Sequence, residues 1–108
     1  MFLSSAPKRF LAYNEPVDMR KSFAGLVSVV QNVLREDPLS DCVFIFFNRR
    51  GNYMKLVTWD RTGYCLFAKK LERGRFRLPS GERQQEISER AFRLILDGIV
   101  LGRRREMR

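Results

Sequence analysis

The chain has 108 residues, of which 21 are basic and 12 acidic, so its formal net charge is +9. This length suits one domain, and a hydrophobic content of 44% fills a single core and excludes a disordered polyelectrolyte. The longest apolar run, residues 42–47, is too short to span a membrane, and the first ten residues do not resemble a signal peptide. We therefore expect a cytoplasmic protein with two free thiols.

Histidine is absent, which removes the most common general base and the most common metal ligand. The two cysteines, Cys42 and Cys65, have no neighbouring partners for zinc. No Gly-rich phosphate loop is present. The candidate carboxylate ligands for a catalytic magnesium ion are Asp18, Asp41, Asp60 and Glu72. We expect no catalytic residue, no metal site and no cofactor, and a nuclease subunit is the minority alternative.

The first predicted elements are a short strand at residues 10–13 and an amphipathic helix. Apolar residues recur at three- and four-residue steps from Met19 to Leu34, and Asp18 is the predicted N-cap. Pro38 ends this helix within its next turn.

Arg20 and Lys21 fall in the first turn of that predicted helix. Cations there oppose the helix dipole, and the free backbone N–H groups beside them favour an anion site. The alternative is that solvent and salt screen both charges.

Three strands are predicted next, at residues 42–48, 53–59 and 64–71. The first two flank a polar turn that contains Gly51, and Asp60 and Gly63 bound a turn with the residue preferences of type I.

Residues 73–78 then alternate strictly until Pro79, which predicts a further strand of an antiparallel meander. One face of this strand would carry Arg73, Arg75 and Arg77. The other face would carry Phe76 and Leu78.

The last predicted element is a helix that Ser88 caps, with Ile87 and Phe92 as a hydrophobic staple and Gly98 as its C-terminal stop. Leu94, Ile95 and Ile99 supply its apolar side. The fold class is therefore α+β: a single small domain, an antiparallel β-meander with two helices, in the order β-α-β-β-β-β-α. We place the domain at residues 1–101 and a basic C-terminal tail at residues 102–108.

The positive charge is concentrated in residues 49–77, which contain nine basic and two acidic residues and so have a net charge of +7. Tyr53, Trp59 and Tyr64 lie among these cations, and basic residues interleaved with aromatics are typical of nucleic-acid binding. The alternative is a solvated basic surface, with Trp59 and Tyr64 packed across their hairpin. The candidate nucleic-acid-binding residues are Arg20, Lys21, Arg49, Arg50, Lys55, Arg61, Lys69, Lys70, Arg73, Arg75, Arg77, Arg103, Arg104 and Arg105.

Several motifs resemble one known family. They are Asp-Met-Arg-Lys at residues 18–21, Asn-Arg-Arg-Gly at 48–51, Trp59-Asp60, Gly63, Leu-Glu-Arg-Gly-Arg-Phe at 71–76 and a terminal Leu-Ile-Leu-Asp-Gly-Ile segment. Their order is similar to that of the small accessory protein, of the Orf2 or TnpB type, of bacterial insertion-sequence-66 elements.

The resemblance implies a role in transposition beside a separate transposase, which cuts and joins the DNA, and it implies no catalytic residue in this chain. Our leading hypothesis is a non-catalytic accessory protein that binds DNA through its basic meander. The alternative is a protein–protein adaptor that docks on the transposase, or on another protein of the element, without direct DNA contact.

Overall fold

A computed structural model describes residues 8–77 and 81–97. The described elements, in chain order, are β1 (Arg9–Tyr13), α1 (Phe23–Val29), β2 (Cys42–Phe47), β3 (Tyr53–Asp60), β4 (Gly63–Lys70), β5 (Gln84–Ile87) and α2 (Glu89–Leu96). The predicted α+β class and the predicted order of elements are confirmed.

The strands form one five-stranded sheet in the order β4-β3-β2-β1-β5. The predicted meander is confirmed for β2, β3 and β4, which pair antiparallel. The sheet is nevertheless mixed, because β1 pairs parallel with β2. A helix between two paired strands returns the chain to the end from which it started, so the β1–α1–β2 connection produces this parallel pair.

The two helices cover opposite faces of the sheet. Leu26, Val30 and Leu34 of the first helical segment pack with odd-numbered β1 residues such as Leu11. Phe92 of α2 packs on the other face, where its ring stacks on Phe10 with centroids 4.6 Å apart. Alternating side chains of one strand thus enter two separate cores, which explains why all six residues of β2 are buried.

The predicted N-cap of the first helix is wrong. The helix begins at Phe23, and Asp18 lies in a turn before it, where its Oδ1 accepts a hydrogen bond from the Arg20 backbone N–H. A short aspartate side chain that bonds backbone two residues ahead stabilises such a turn as well as it caps a helix. Arg20 and Lys21 therefore lie outside the first helical turn.

The predicted C-terminal end of that helix is confirmed, because α1 continues as a π-helical turn, Val30–Leu34. Arg35 then takes a left-handed conformation with φ of 58°, and the Glu36 N–H bonds back to the Val30 carbonyl. This arrangement ends the helix before Pro38.

The predicted strand at residues 73–78 is wrong over the described residues 73–77, which pair with no strand. The prediction that the arginines and Phe76 point in different directions is nevertheless correct, since Phe76 is buried while Arg73, Arg75 and Arg77 are exposed. The strand that completes the sheet is β5, which sequence reasoning missed and which pairs antiparallel with β1. Leu78 and Pro79 lie outside the described residues.

The β3–β4 turn also differs from its prediction. Arg61 takes a φ of 57°, so the two central residues do not form a type I turn, in which φ is negative at both positions. Two-residue hairpins favour positive φ because it matches the twist of the paired strands.

The cap of α2 is confirmed, with the Ser88 hydroxyl accepting a hydrogen bond from the Ala91 N–H. Ile87 and Phe92, the predicted staple, are both buried in one core. Gly98 and Ile99 lie outside the described residues. No helix in the described ranges has the length and apolarity needed to cross a bilayer.

Candidate functional site

The turn between β2 and β3 carries Arg49 and Arg50 in a fixed geometry. The Gly51 N–H bonds to the Asn48 carbonyl at 3.1 Å, and Gly51 takes a φ of +75°. The Asn48 side chain then accepts hydrogen bonds from the backbone N–H groups of Asn52 and Tyr53, at 3.1 and 3.2 Å. Both arginine side chains are exposed on this braced turn.

Asn48 is a positioning residue that sequence reasoning missed. Its signal is an asparagine directly before a Gly-containing turn, since asparagine side chains often bond nearby backbone.

The chain returns to this turn after β4. The Leu71 N–H bonds to the Asn52 carbonyl at 2.8 Å, and the Phe76 N–H bonds to the Gly51 carbonyl at 2.8 Å. The Phe76 ring is buried against Phe47, with centroids 5.8 Å apart. Residues 71–77 are therefore held against the β2–β3 turn by one buried ring and two backbone hydrogen bonds.

This folding brings together cations that are distant in the sequence. A Cβ atom placed on Gly51 would lie 3.8 Å from the Arg75 Cβ, and β4 pairs its last residues with the first residues of β3. We call the resulting surface the basic end of the sheet; its members are Arg49, Arg50, Lys69, Lys70, Arg73, Arg75 and Arg77. All seven except the half-buried Lys69 are exposed.

The two lysines of the basic end also contact their own chain. Lys69 Nζ donates a hydrogen bond to the Leu96 carbonyl at 2.7 Å, near the C-terminus of α2, where a cation is favourable. Lys70 Nζ lies 5.7 Å from the centre of the Tyr53 ring. The five arginines are therefore the cations of the basic end that are most available to a ligand, because they are exposed and the two lysines contact their own chain.

The turn at Asp18 borders the basic end. Val17 donates its N–H to the Phe47 carbonyl at 2.9 Å, and a cleft of about 460 Å³ is lined by residues 16–19 and 48–50. Asp18, one of the lining residues, forms an ion pair with Arg20, whose Nη2 lies 2.7 Å from Oδ2. This side-chain hydrogen bond holds the pKa of Asp18 well below its ordinary range.

Lys55 and Lys21 meet on the α1 face of the sheet. Lys55 Nζ donates a hydrogen bond to the Lys21 carbonyl at 2.8 Å and lies 5.9 Å from the centre of the Tyr53 ring. The predicted candidates Arg20, Lys21 and Lys55 thus adjoin the basic end, although Arg20 is neutralised by Asp18.

Arg61 is separated from the other candidates. It lies in the β3–β4 turn at the opposite end of β3, about 23 Å from the β2–β3 turn for an eight-residue strand. Trp59 and Tyr64 face each other there in an edge-to-face contact, with centroids 5.1 Å apart. The alternative for these two rings, packing across the hairpin, is therefore confirmed. Arg103, Arg104 and Arg105 lie outside the described residues.

The acidic and thiol groups are dispersed. Within residues 8–77 and 81–97 no group of three or more acidic or cysteine side chains is arranged to hold a metal ion. Both cysteines are free, and burial raises the pKa of the Cys42 thiol to about 12.

The comparisons with known proteins agree with the motifs. A family model described as IS66 Orf2 like protein matches residues 8–106. The uncharacterized protein y4hO of Sinorhizobium fredii is 46% identical over 65 residues, which are 60% of this chain and 56% of that protein. The uncharacterized protein y4jC of the same organism is 32% identical over 92 residues, which are 84% of this chain and 79% of that protein. No solved structure matches the chain.

The family match extends over every element of the fold and over the whole basic end. The resemblance seen in the sequence motifs is thereby confirmed, and the chain belongs to the family of IS66 Orf2-like accessory proteins of insertion sequences.

Proposed function

We propose that this protein is a non-catalytic accessory protein of insertion-sequence transposition that binds DNA through the basic end of its sheet. The observation that carries the proposal is the gathering of seven cations from three chain segments around one braced turn. Arg20, Lys21, Lys55 and the tail arginines flank this surface in the proposal, and the transposase of the same element is the expected protein partner.

The charge balance of the basic end supports an anionic ligand. Glu72 is the one acidic residue in the segments that form it, and in the described residues none of its seven cations makes an ion pair with a carboxylate. Like charges this close repel one another, and a ligand with several phosphates relieves that repulsion. Five of the seven are arginines, whose planar forks bind phosphate oxygens in pairs.

The braced geometry supports contacts to the phosphate backbone. The backbone that carries the arginines is already ordered by folding. DNA binding by these arginines therefore costs less conformational entropy than binding by arginines of a disordered tail would. Trp59 and Tyr64 pack on each other at the far end of the sheet and do not border the basic end. The proposal therefore relies on phosphate contacts, which position a protein on nucleic acid without reading its sequence.

The experiment is fluorescence anisotropy with duplex and single-stranded DNA at several salt concentrations. The triple variant Arg49→Gln/Arg50→Gln/Arg75→Gln removes three exposed charges and no hydrogen bond that holds the turn. On duplex DNA each phosphate contact contributes about −0.9 to the slope of log affinity against log salt concentration, so we expect the triple variant to reduce the magnitude of this negative slope by about 2.7.

The matched control is Arg90→Gln, an exposed arginine of α2, at the start of that helix. It changes the net charge without touching the basic end, and we expect its salt slope to equal that of the wild type. Absence of binding by the wild type at low salt contradicts the proposal. Equal losses of DNA affinity in Arg90→Gln and in a single Arg49→Gln variant would also contradict the proposal. They would show that DNA is attracted by the net charge of the protein and not by the basic end.

The adaptor function is favoured by a different observation, the exposed apolar side chains Phe23, Val33 and Leu39, which are 45%, 40% and 54% exposed. Co-purification with the transposase of the same element, with and without nuclease, separates the two functions. Association that survives nuclease and is lost on Phe23→Ser supports the adaptor, whereas association that nuclease abolishes supports the DNA-binding protein.

A further inference from the structure

The outer edge of β4 is an eight-residue strand edge at one side of the sheet. In the part of the chain that the structure describes, β3 is its one paired strand. The Asn52–Leu71 pair is hydrogen bonded, and hydrogen-bonded pairs alternate along an antiparallel ladder. Tyr64, Leu66 and Ala68, together with Lys70, therefore direct their backbone N–H and C=O groups away from β3.

The side chains along this edge are apolar over most of its length. Tyr64, Cys65, Leu66 and Phe67 are half-buried, so each presents part of an apolar surface beside the open backbone groups. Natural proteins usually protect such an edge with a proline, a bulge, or charged side chains. β4 has no proline and pairs with β3 in unbroken register from Gly63 to Lys70.

The two lysines of β4 do not protect the edge. They lie at its C-terminal end and turn to opposite faces, where Lys69 bonds the Leu96 carbonyl and Lys70 lies over the Tyr53 ring. The central positions 64–68 carry no charge.

From these observations we propose that two copies of the chain pair antiparallel through β4 and form one continuous ten-stranded sheet. Charge distribution selects a second copy in this orientation. Antiparallel pairing places the lysines of the two strands at opposite ends, with the two Lys70 positions about 20 Å apart and the two Lys69 positions about 14 Å apart, whereas parallel pairing would bring all four together.

The register that uses the whole edge places Tyr64 of each copy opposite Lys70 of the other, and Leu66 opposite Ala68. The four outward residues of each strand then exchange about eight hydrogen bonds, within the range of about 10 ± 5 that a specific interface contains. Tyr64 and Lys70 lie on the α1 face, so the Lys70 of each copy also meets the Tyr64 ring of the other copy. This inference does not rest on the proposed DNA binding.

The test is sedimentation equilibrium together with amide hydrogen exchange by NMR, on the full chain without nucleic acid. We expect a dimer whose Tyr64, Leu66 and Ala68 amides are protected as well as those of Cys65 and Phe67. Leu66→Lys places a charge in the middle of the edge, and we expect it to weaken dimerisation at least tenfold. Gln31→Lys adds the same charge on an exposed position of the helical segment Val30–Leu34, away from β4, and should leave the dimer unchanged.

Two results would overturn the inference. One is a wild-type chain that stays monomeric at NMR concentrations; if the 64, 66 and 68 amides are protected in that monomer, a segment of the same chain covers the edge. The other is a dimer in which those amides exchange rapidly, because a different surface then joins the copies. Circular dichroism of Leu66→Lys verifies that the variant is folded.

Discussion

At the scale of single residues, Cys42 gives a prediction about pH. The side chain is fully buried in β2, and burial raises the pKa of its thiol to about 12, whereas a thiol in an unfolded chain ionises near pH 8.5. Because the folded pKa is the higher one, this contribution to stability is complete below about pH 8.5 and is lost progressively as the pH rises toward 12. We expect the free energy of unfolding from urea titrations to fall more steeply between pH 8.5 and 10 in the wild type than in Cys42→Ala, by up to about 1.4 kcal/mol per pH unit. The two proteins differ at this one residue, so identical slopes would contradict the prediction.

At the scale of elements, Phe76 decides whether residues 71–77 stay against the β2–β3 turn. Its ring is 7% exposed and packs on Phe47. We expect Phe76→Ala to lower the free energy of unfolding by about 3 kcal/mol and to weaken DNA binding, because Arg75 and Arg77 lose their support. Chemical denaturation measures the first effect and anisotropy the second. Phe76→Leu retains most of the buried volume and should keep both properties near wild type; normal DNA binding by a folded Phe76→Ala would show that the arginines act without this support.

At the scale of the whole molecule, much of the net charge of +9 comes from the basic end of the sheet, where seven cations are accompanied by one acidic residue, Glu72. Repulsion among exposed cations destabilises the fold at low ionic strength, and salt screens it over about 10 Å at 0.1 M. We expect the Tm of the wild type to rise between 10 and 200 mM sodium chloride. The triple variant Arg49→Gln/Arg50→Gln/Arg75→Gln should be more stable than the wild type at low salt and less salt-dependent. Calorimetry without DNA tests this, and a wild-type Tm that falls over that range would contradict it.

The sequence predicted the elements whose signals are local. The three- and four-residue spacing from Met19 to Leu34 indicated a helix, although the helix begins only at Phe23. Apolar runs marked β2, β3 and β4. Both signals are local, because amphipathic periodicity depends on neighbours along the chain. Ser88 was recognisable as a cap for the same reason. β5 was missed because its sequence, Gln-Gln-Glu-Ile, has little apolar character and becomes a strand through pairing with β1.

The positive charge of the candidate site could be predicted from the sequence, whereas the arrangement of its residues in space could be predicted only in part. The sequence by itself determined the concentration of cations in residues 49–77 and the burial of Phe76 between exposed arginines, since both follow from residue type and alternation. Only the tertiary structure decided that residues 73–77 form no strand, because strand formation needs a neighbouring strand whose backbone groups are free, and alternation within one segment does not reveal this. The fold alone also separates Arg61 from Arg49 and Arg50, because an eight-residue strand lies between the two turns that carry them.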